Sequence, residues 1–97
     1  MAKYHLTNLA ANDLADIWNY TFKTWSERQA DKYYDLLLLA CNDLAKNPKM
    51  GKKYEIVTQG ILGYKIGEHI IFYSCVSKDE IEVARILHGM MDLKSKL

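Results

Sequence analysis

Between residues 8 and 46 the apolar positions recur at three- and four-residue steps. After a lysine-rich stretch they recur in the short, turn-bounded runs typical of strands. Tyr4-His5-Leu6-Thr7 reads as a short first strand, and Thr7-Asn8 offers N-cap oxygens to a helix beginning near Leu9. Ala10, Leu14, Ile17, Trp18, Thr21 and Trp25 line one face of that helix and are expected to pack inward. Ser26-Glu27-Arg28-Gln29 has the pattern of a capping box, in which the Ser26 hydroxyl and the Gln29 side chain satisfy first-turn amides, so a second helix starts there. Its stripe of Ala30, Tyr33, Tyr34, Leu37, Leu38, Cys41, Leu44 and Ala45 runs to Asn47-Pro48, where the missing amide of proline and its steric demand stop the helix. Two amphipathic helices joined this tightly form a hairpin.

Lys49 to Lys53 reads as a loop. Beyond it Ile56-Val57, Leu62 to Ile66, His69 to Val76 and Ile81 to His88 are the strand candidates. Gly67-Glu68 suits a two-residue hairpin with glycine first, and Ser77-Lys78-Asp79-Glu80 a longer one. Ile70-Ile71-Phe72-Tyr73 shows no polar alternation, which predicts a central strand covered on both faces. The helical hairpin supplies one cover; the C-terminal Met90-Met91-Asp92-Leu93 segment or a partner supplies the other. The predicted fold is α+β, in the order β-α-α-β-β-β with a C-terminal tail, the helical hairpin packed on a small, mostly antiparallel sheet.

Composition narrows the function classes. Ninety-seven residues, 49% hydrophobic and 26% charged, with no second compositional block, fit one domain over residues 1–97. A domain this small buries only about two-thirds of the surface of its unfolded chain, so a partner that covers apolar surface matters to it. Seven tyrosines, two tryptophans and two phenylalanines suit such an interface, being apolar at one end and able to hydrogen-bond at the other. A net charge of +1 gives no general drive towards nucleic acid. The first residues lack the apolar stretch of a signal peptide, and no run reaches the roughly 18 apolar residues of a membrane span. A cytoplasmic protein with no membrane partner is the expectation. Cys41 and Cys75 each sit in an apolar stretch and are expected to be buried, reduced thiols; neither has the close Cys/His spacing of a metal site.

The residues able to do chemistry are few. General acid–base chemistry needs a base and cations to stabilise developing charge, and Arg85, His88 and Lys65 are the candidates. On a regular strand, however, residues three apart face opposite ways. Arg85 would share a face with Ile81, Val83 and Leu87, and His88 would share the other with Glu82, Ala84 and Ile86, so only a bulge could bring them together. His5 and His69 have no nucleophile or carboxylate at informative spacing and read as structural or solvated. Gly60, Gly63 and Gly67 sit among strand residues and read as turn or bulge positions, with no phosphate loop. Lys46, Lys49, Lys52 and Lys53 surround a proline-containing loop, where solvated lysines are ordinary. No catalytic set, cofactor site or metal-ligand set emerges.

The string Val83-Ala84-Arg85-Ile86-Leu87-His88-Gly89-Met90-Met91-Asp92 is similar to the ending of ParE toxins in the RelE/ParE superfamily. Asp13-Leu14-Ala15-Asp16-Ile17 with Tyr20, Trp25 before Gln29-Ala30, Leu44-Ala45 with Pro48 and Gly51, and Gly67 to Tyr73 add matches in the same order along nearly the whole chain. The resemblance implies the toxin of a type II toxin–antitoxin system, bound by a ParD-like antitoxin, with DNA gyrase as the target and operator DNA reached only through the antitoxin. It places target binding near Arg85, His88, Met91 and Asp92. An antitoxin tail, disordered when free, would dock on the helical hairpin, where Trp18, Phe22 and Tyr34 are the expected contacts. One position departs from the pattern: where many relatives read Gly-Leu-Arg after Gly60, this chain has Ile61-Leu62, with leucine at the arginine position. Two other readings stand beside the gyrase inhibitor: a RelE-type, ribosome-dependent endoribonuclease, and an inactivated toxin that acts only as antitoxin partner and co-repressor.

Overall fold

Each helix begins and ends on the residues that flank it. In the computed structural model, which describes residues 2–54 and 60–89, the Thr7 hydroxyl accepts from the Ala10 amide at 3.0 Å and opens α1, Asn8–Thr24. The Ser26 hydroxyl accepts from the Gln29 amide at 3.1 Å and opens α2, Glu27–Lys46, which ends at Asn47 ahead of Pro48. Trp25 corrects the expected inward stripe. It caps α1 outside helical geometry and is 74% exposed, because the helical periodicity stops at Thr24.

Among the described residues five strands form one sheet: β1 (Lys3–Leu6), β2 (Lys52–Lys53), β3 (Leu62–Ile66), β4 (His69–Ser77) and β5 (Glu80–His88), in the order β1-β5-β4-β3-β2. Only β1 runs parallel to its neighbour, β5; the other pairings are antiparallel. The α+β architecture is as predicted, with one strand more. Part of the predicted lysine loop is ordered as a 3₁₀ turn, Pro48–Met50, followed by β2, whose two exposed lysines pair with Leu62 and Gly63. Ile56-Val57 and the Met90–Leu93 segment lie outside the described residues.

The apolar run in β4 sits in the middle of the sheet, as its lack of alternation requires. Ile71 and Tyr73 face the helices, where they meet Ala10 and Leu14 of α1, Leu37, Cys41 and Leu44 of α2, and Ile81, Val83 and Ile86 of β5. Ile70 and Phe72 face the other way, into a smaller cluster with Ile61 and Leu87. There Tyr54 meets Phe72 edge-on, ring centroids 5.2 Å apart.

Gly67 opens the β3–β4 turn with φ +57°, the conformation expected of a glycine-first two-residue hairpin. The β4–β5 turn is shorter than predicted: Ser77 pairs with Glu80 across Lys78-Asp79, and the extra residue is absorbed as a register shift between Cys75 and Ser77. Cys75 is exposed, contrary to expectation, because β4 there has run past the end of β3. Cys41 is buried as expected, and desolvation pushes its thiol up to about 12.

Candidate functional site

The strand carrying Arg85 and His88 is irregular, and the irregularity makes the site. Tyr73 pairs with Val83 but Phe72 with Arg85, so Ala84 and Arg85 together oppose a single residue of β4. This is a β-bulge, which resets the alternation beyond it. Ile86 therefore joins Ile81 and Val83 in the helix-side core, and Leu87 joins the opposite cluster. The face assignment drawn from a regular strand is overturned: Arg85 and His88 line one cleft.

At the bulge β5 loses its neighbour on the β1 side, since β1 ends at Leu6 opposite Val83. Helix α1 takes over. The Asp13 carboxylate accepts from Arg85 Nε at 2.8 Å and Arg85 Nη2 at 2.9 Å, and its Oδ2 also accepts from the Ile86 amide at 3.0 Å. The fork-on-carboxylate geometry holds the guanidinium still more firmly protonated. The cleft, about 230 Å³, is lined by Asp13, Asp16, His69, Arg85 and His88 over walls from Ile17, Ile86 and Leu87.

His69 was read from sequence as structural or solvated, and it proves to be a wall of this cleft. It pairs with His88 across the ladder, the two rings meeting edge-on with centroids 5.4 Å apart. Behind it, the Tyr33 hydroxyl lies 2.7 Å from His69 Nδ1 and accepts from the Glu68 amide at 3.1 Å. Burial, and secondarily the nearby His88, hold His69 below its ordinary value of 6.5, with Glu68 and Asp13 opposing the shift. The unfolded chain thus takes up a proton before the folded one does. The contribution of His69 to stability is full above the unfolded pKa and is lost as pH falls through the folded one. Urea unfolding at about pH 7.5 and about pH 5.5 should show a smaller stability loss for His69→Gln than for the parent chain; an equal loss would place the pH dependence elsewhere.

Three cleft residues, Asp13, Asp16 and His69, are not among the site residues expected from sequence. The signal for the first was present. Asp13 lies three residues after inward-facing Ala10 and four before Ile17, so a carboxylate stood at the margin of the buried stripe and required a partner. Met91 and Asp92, the other expected target contacts, lie outside the described residues. Lys65 is exposed on β3 and is not among the residues lining the cleft. His5 is exposed and pairs with Glu80 on the neighbouring strand.

On the hairpin, Trp18 and Phe22 stack one turn apart, centroids 5.2 Å and planes within 10°. Trp18 is half-buried and its indole donates to Asp31 of α2 at 2.9 Å, while Phe22 is exposed. Tyr34 lies apart from this pair, half-buried against the helix-side core.

Residues 4–93 match a family model described as the ParE toxin of the type II toxin–antitoxin system parDE. The chain belongs to the ParE toxin family. It is similar to Toxin ParE1 of Mycobacterium tuberculosis, 31% identical over 96 residues that cover 99% of this chain and 98% of the relative. It is also similar to Toxin ParE1 of Caulobacter vibrioides, 32% identical over 97 residues covering 100% and 99%. A ParE-type toxin of a type II toxin–antitoxin system is therefore what the chain encodes. Its fold matches a chain in the solved chromosomal ParDE toxin–antitoxin system from P. aeruginosa, with TM-score 0.75 and 19% identity over 91% of this chain and 96% of that one. A chain in the toxin–antitoxin complex RelBE2 from M. tuberculosis gives TM-score 0.66 and 16% identity over 90% and 96%. At these identities the likeness to both structures is one of fold. Among the described residues of this ParE-family chain, no helix is long and apolar enough to cross a membrane.

Proposed function

We propose that this toxin is neutralised by a ParD-like antitoxin in the cytoplasm and inhibits DNA gyrase by binding it, without chemistry of its own. The observation that carries the reading is the state of Arg85. The guanidinium that an RNA-cleaving site would need to steady a phosphodiester is already clasped by Asp13 through two hydrogen bonds. Asp16 adds a second carboxylate to the same cleft. With Arg85 engaged by Asp13 and Asp16 beside it, the cleft is poorly suited to steadying a phosphate. The cleft mixes charged and imidazole side chains with apolar Ile17, Ile86 and Leu87, a lining that suits the polar rim of a protein interface.

The antitoxin reading is supported by the solved structures that share the fold, both of them toxin–antitoxin systems. The Trp18–Phe22 stack offers such a partner an aromatic surface on the hairpin. Trp18→Ala is expected to weaken capture by the antitoxin more than it lowers the melting temperature, and equal loss of both would move the docking surface elsewhere.

Expression without antitoxin tests the toxic activity. Gyrase inhibition predicts growth arrest with DNA-damage signalling and intact messenger RNA. Toeprints within the ribosomal A site would instead establish the endoribonuclease, and normal growth with soluble chain accumulating would establish an inactive partner.

A further inference from the structure

We infer that Asp13 is a positioning residue for toxicity: acting through Arg85 and the Ile86 amide, it sets the direction in which β5 leaves its bulge and so presents Arg85 and His88 together on the target-binding surface. The inference rests on reading the cleft as that surface. Strand β5 carries its bulge where β1 stops, a point at which a strand end is free to splay. The Thr7 cap and helix α1 tie the strand into and out of the bulge. Upstream, the Thr7 amide donates to the Val83 carbonyl at 3.1 Å and the Thr7 hydroxyl to the Ala84 carbonyl at 2.8 Å. Downstream, Asp13 alone takes the Ile86 amide, where a flanking strand would otherwise supply the acceptor, and the same carboxylate fixes the Arg85 fork.

A strut needed only for folding would not have to be ionic. Apolar residues of similar volume commonly serve at least as well in a mostly buried position. What the charged pair adds is direction: a planar fork bound at both oxygens leaves the guanidinium one orientation. His88 follows three residues after the fork on the same strand and lines the same cleft. Its place is therefore set by the course of the backbone from Arg85 to Ile86.

The test uses the full chain carrying Asp13→Asn, which keeps the shape but removes the charge, and Arg85→Lys, which keeps the charge but removes the fork. Potency is measured per folded molecule, at a temperature below every melting transition, both as growth arrest on expression and as inhibition of purified gyrase. Each variant is expected to lose about ten- to hundredfold in potency, the scale of one or two charge-assisted hydrogen bonds. The double variant should be no weaker than the weaker single one, because both act through one clasp. If Asp13→Asn lowers the melting temperature but leaves potency per folded molecule within about twofold, Asp13 is only structural and the inference falls. It falls equally if the two losses multiply. Should Asp13→Asn fail to fold, Asp13→Glu, which keeps the charge but moves the carboxylate out of register with the fork, decides by the same potency criterion. A parent chain that arrests growth but leaves gyrase untouched would end the gyrase assignment alone, with Asp13 still decided by growth arrest. A parent chain that accumulates folded without arresting growth would end both.

Discussion

Replacing Tyr73 by phenylalanine is expected to destabilise the fold by about 1–3 kcal/mol, although the change removes a single oxygen. Tyr73 is fully buried in the helix-side core. Its hydroxyl donates to the Pro48 carbonyl at 2.5 Å and accepts from the Gly51 amide at 3.0 Å. One oxygen thus pins the turn after α2 to the central strand. Gly51 is at this position because a Cβ there would lie 2.2 Å from the Tyr73 hydroxyl. Without the hydroxyl, a half-buried carbonyl and amide beside the core lose their partner, and leaving them unpaired is what costs. Tyr73→Ala adds the loss of the ring and should cost about 3–5 kcal/mol. That is a large share of the roughly 5–15 kcal/mol available to a small domain. Urea unfolding followed by circular dichroism measures both. A phenylalanine variant within about 0.5 kcal/mol of the parent would mean that water replaces the hydroxyl, and that the turn does not depend on it.

Asp13→Ala is the second change with a large expected effect, about 2–4 kcal/mol. The Asp13 and Arg85 side chains are only 12% and 19% exposed, so water cannot readily take over from either partner. Removing the carboxylate leaves a guanidinium and the Ile86 amide without the acceptor they share. Removing the guanidinium as well should relieve part of the penalty. Asp13→Ala with Arg85→Met is therefore expected to be more stable than Asp13→Ala alone, with the unfolding midpoint moving back towards the parent. If the double variant is instead the less stable by the sum of the two single losses, the residues do not form an energetic pair.

What was legible in the sequence was local. Thr7, Ser26 and Asn47-Pro48 mark the helix ends through groups that act within a turn of themselves, so the pattern of residues suffices to find them. Ile70 to Tyr73 declare a central strand because four consecutive apolar residues leave no face for water. Gly67-Glu68 declares a turn because glycine accepts the required positive φ at no steric cost. What was not legible depends on partners distant in the chain. The bulge at Ala84-Arg85 has no marker of its own; it follows from where β1 stops and from Asp13 reaching across from α1. An assumption of regular alternation therefore placed Arg85 and His88 on opposite faces. Lys52 and Lys53 became a strand because Leu62 and Gly63 lie beside them, which two exposed lysines cannot announce. Trp25 and Cys75 were misplaced for a related reason, since each continues an apolar pattern one step beyond the element that gave the pattern meaning. The family was legible in strings spread along nearly the whole chain, and the match over residues 4–93 establishes it. Leu62, where the resemblance leads one to expect arginine, is half-buried against the helix-side core and pairs with Tyr73.

The proposed function is that this ParE-family toxin occupies DNA gyrase rather than cutting a nucleic acid. A supercoiling assay with purified gyrase and purified, folded chain tests it most directly. Inhibition is expected to rise with the ratio of chain to gyrase and to be reversed by added antitoxin, as for a binder that acts one molecule at a time. Supercoiling that continues unchanged at saturating folded chain would contradict the claim.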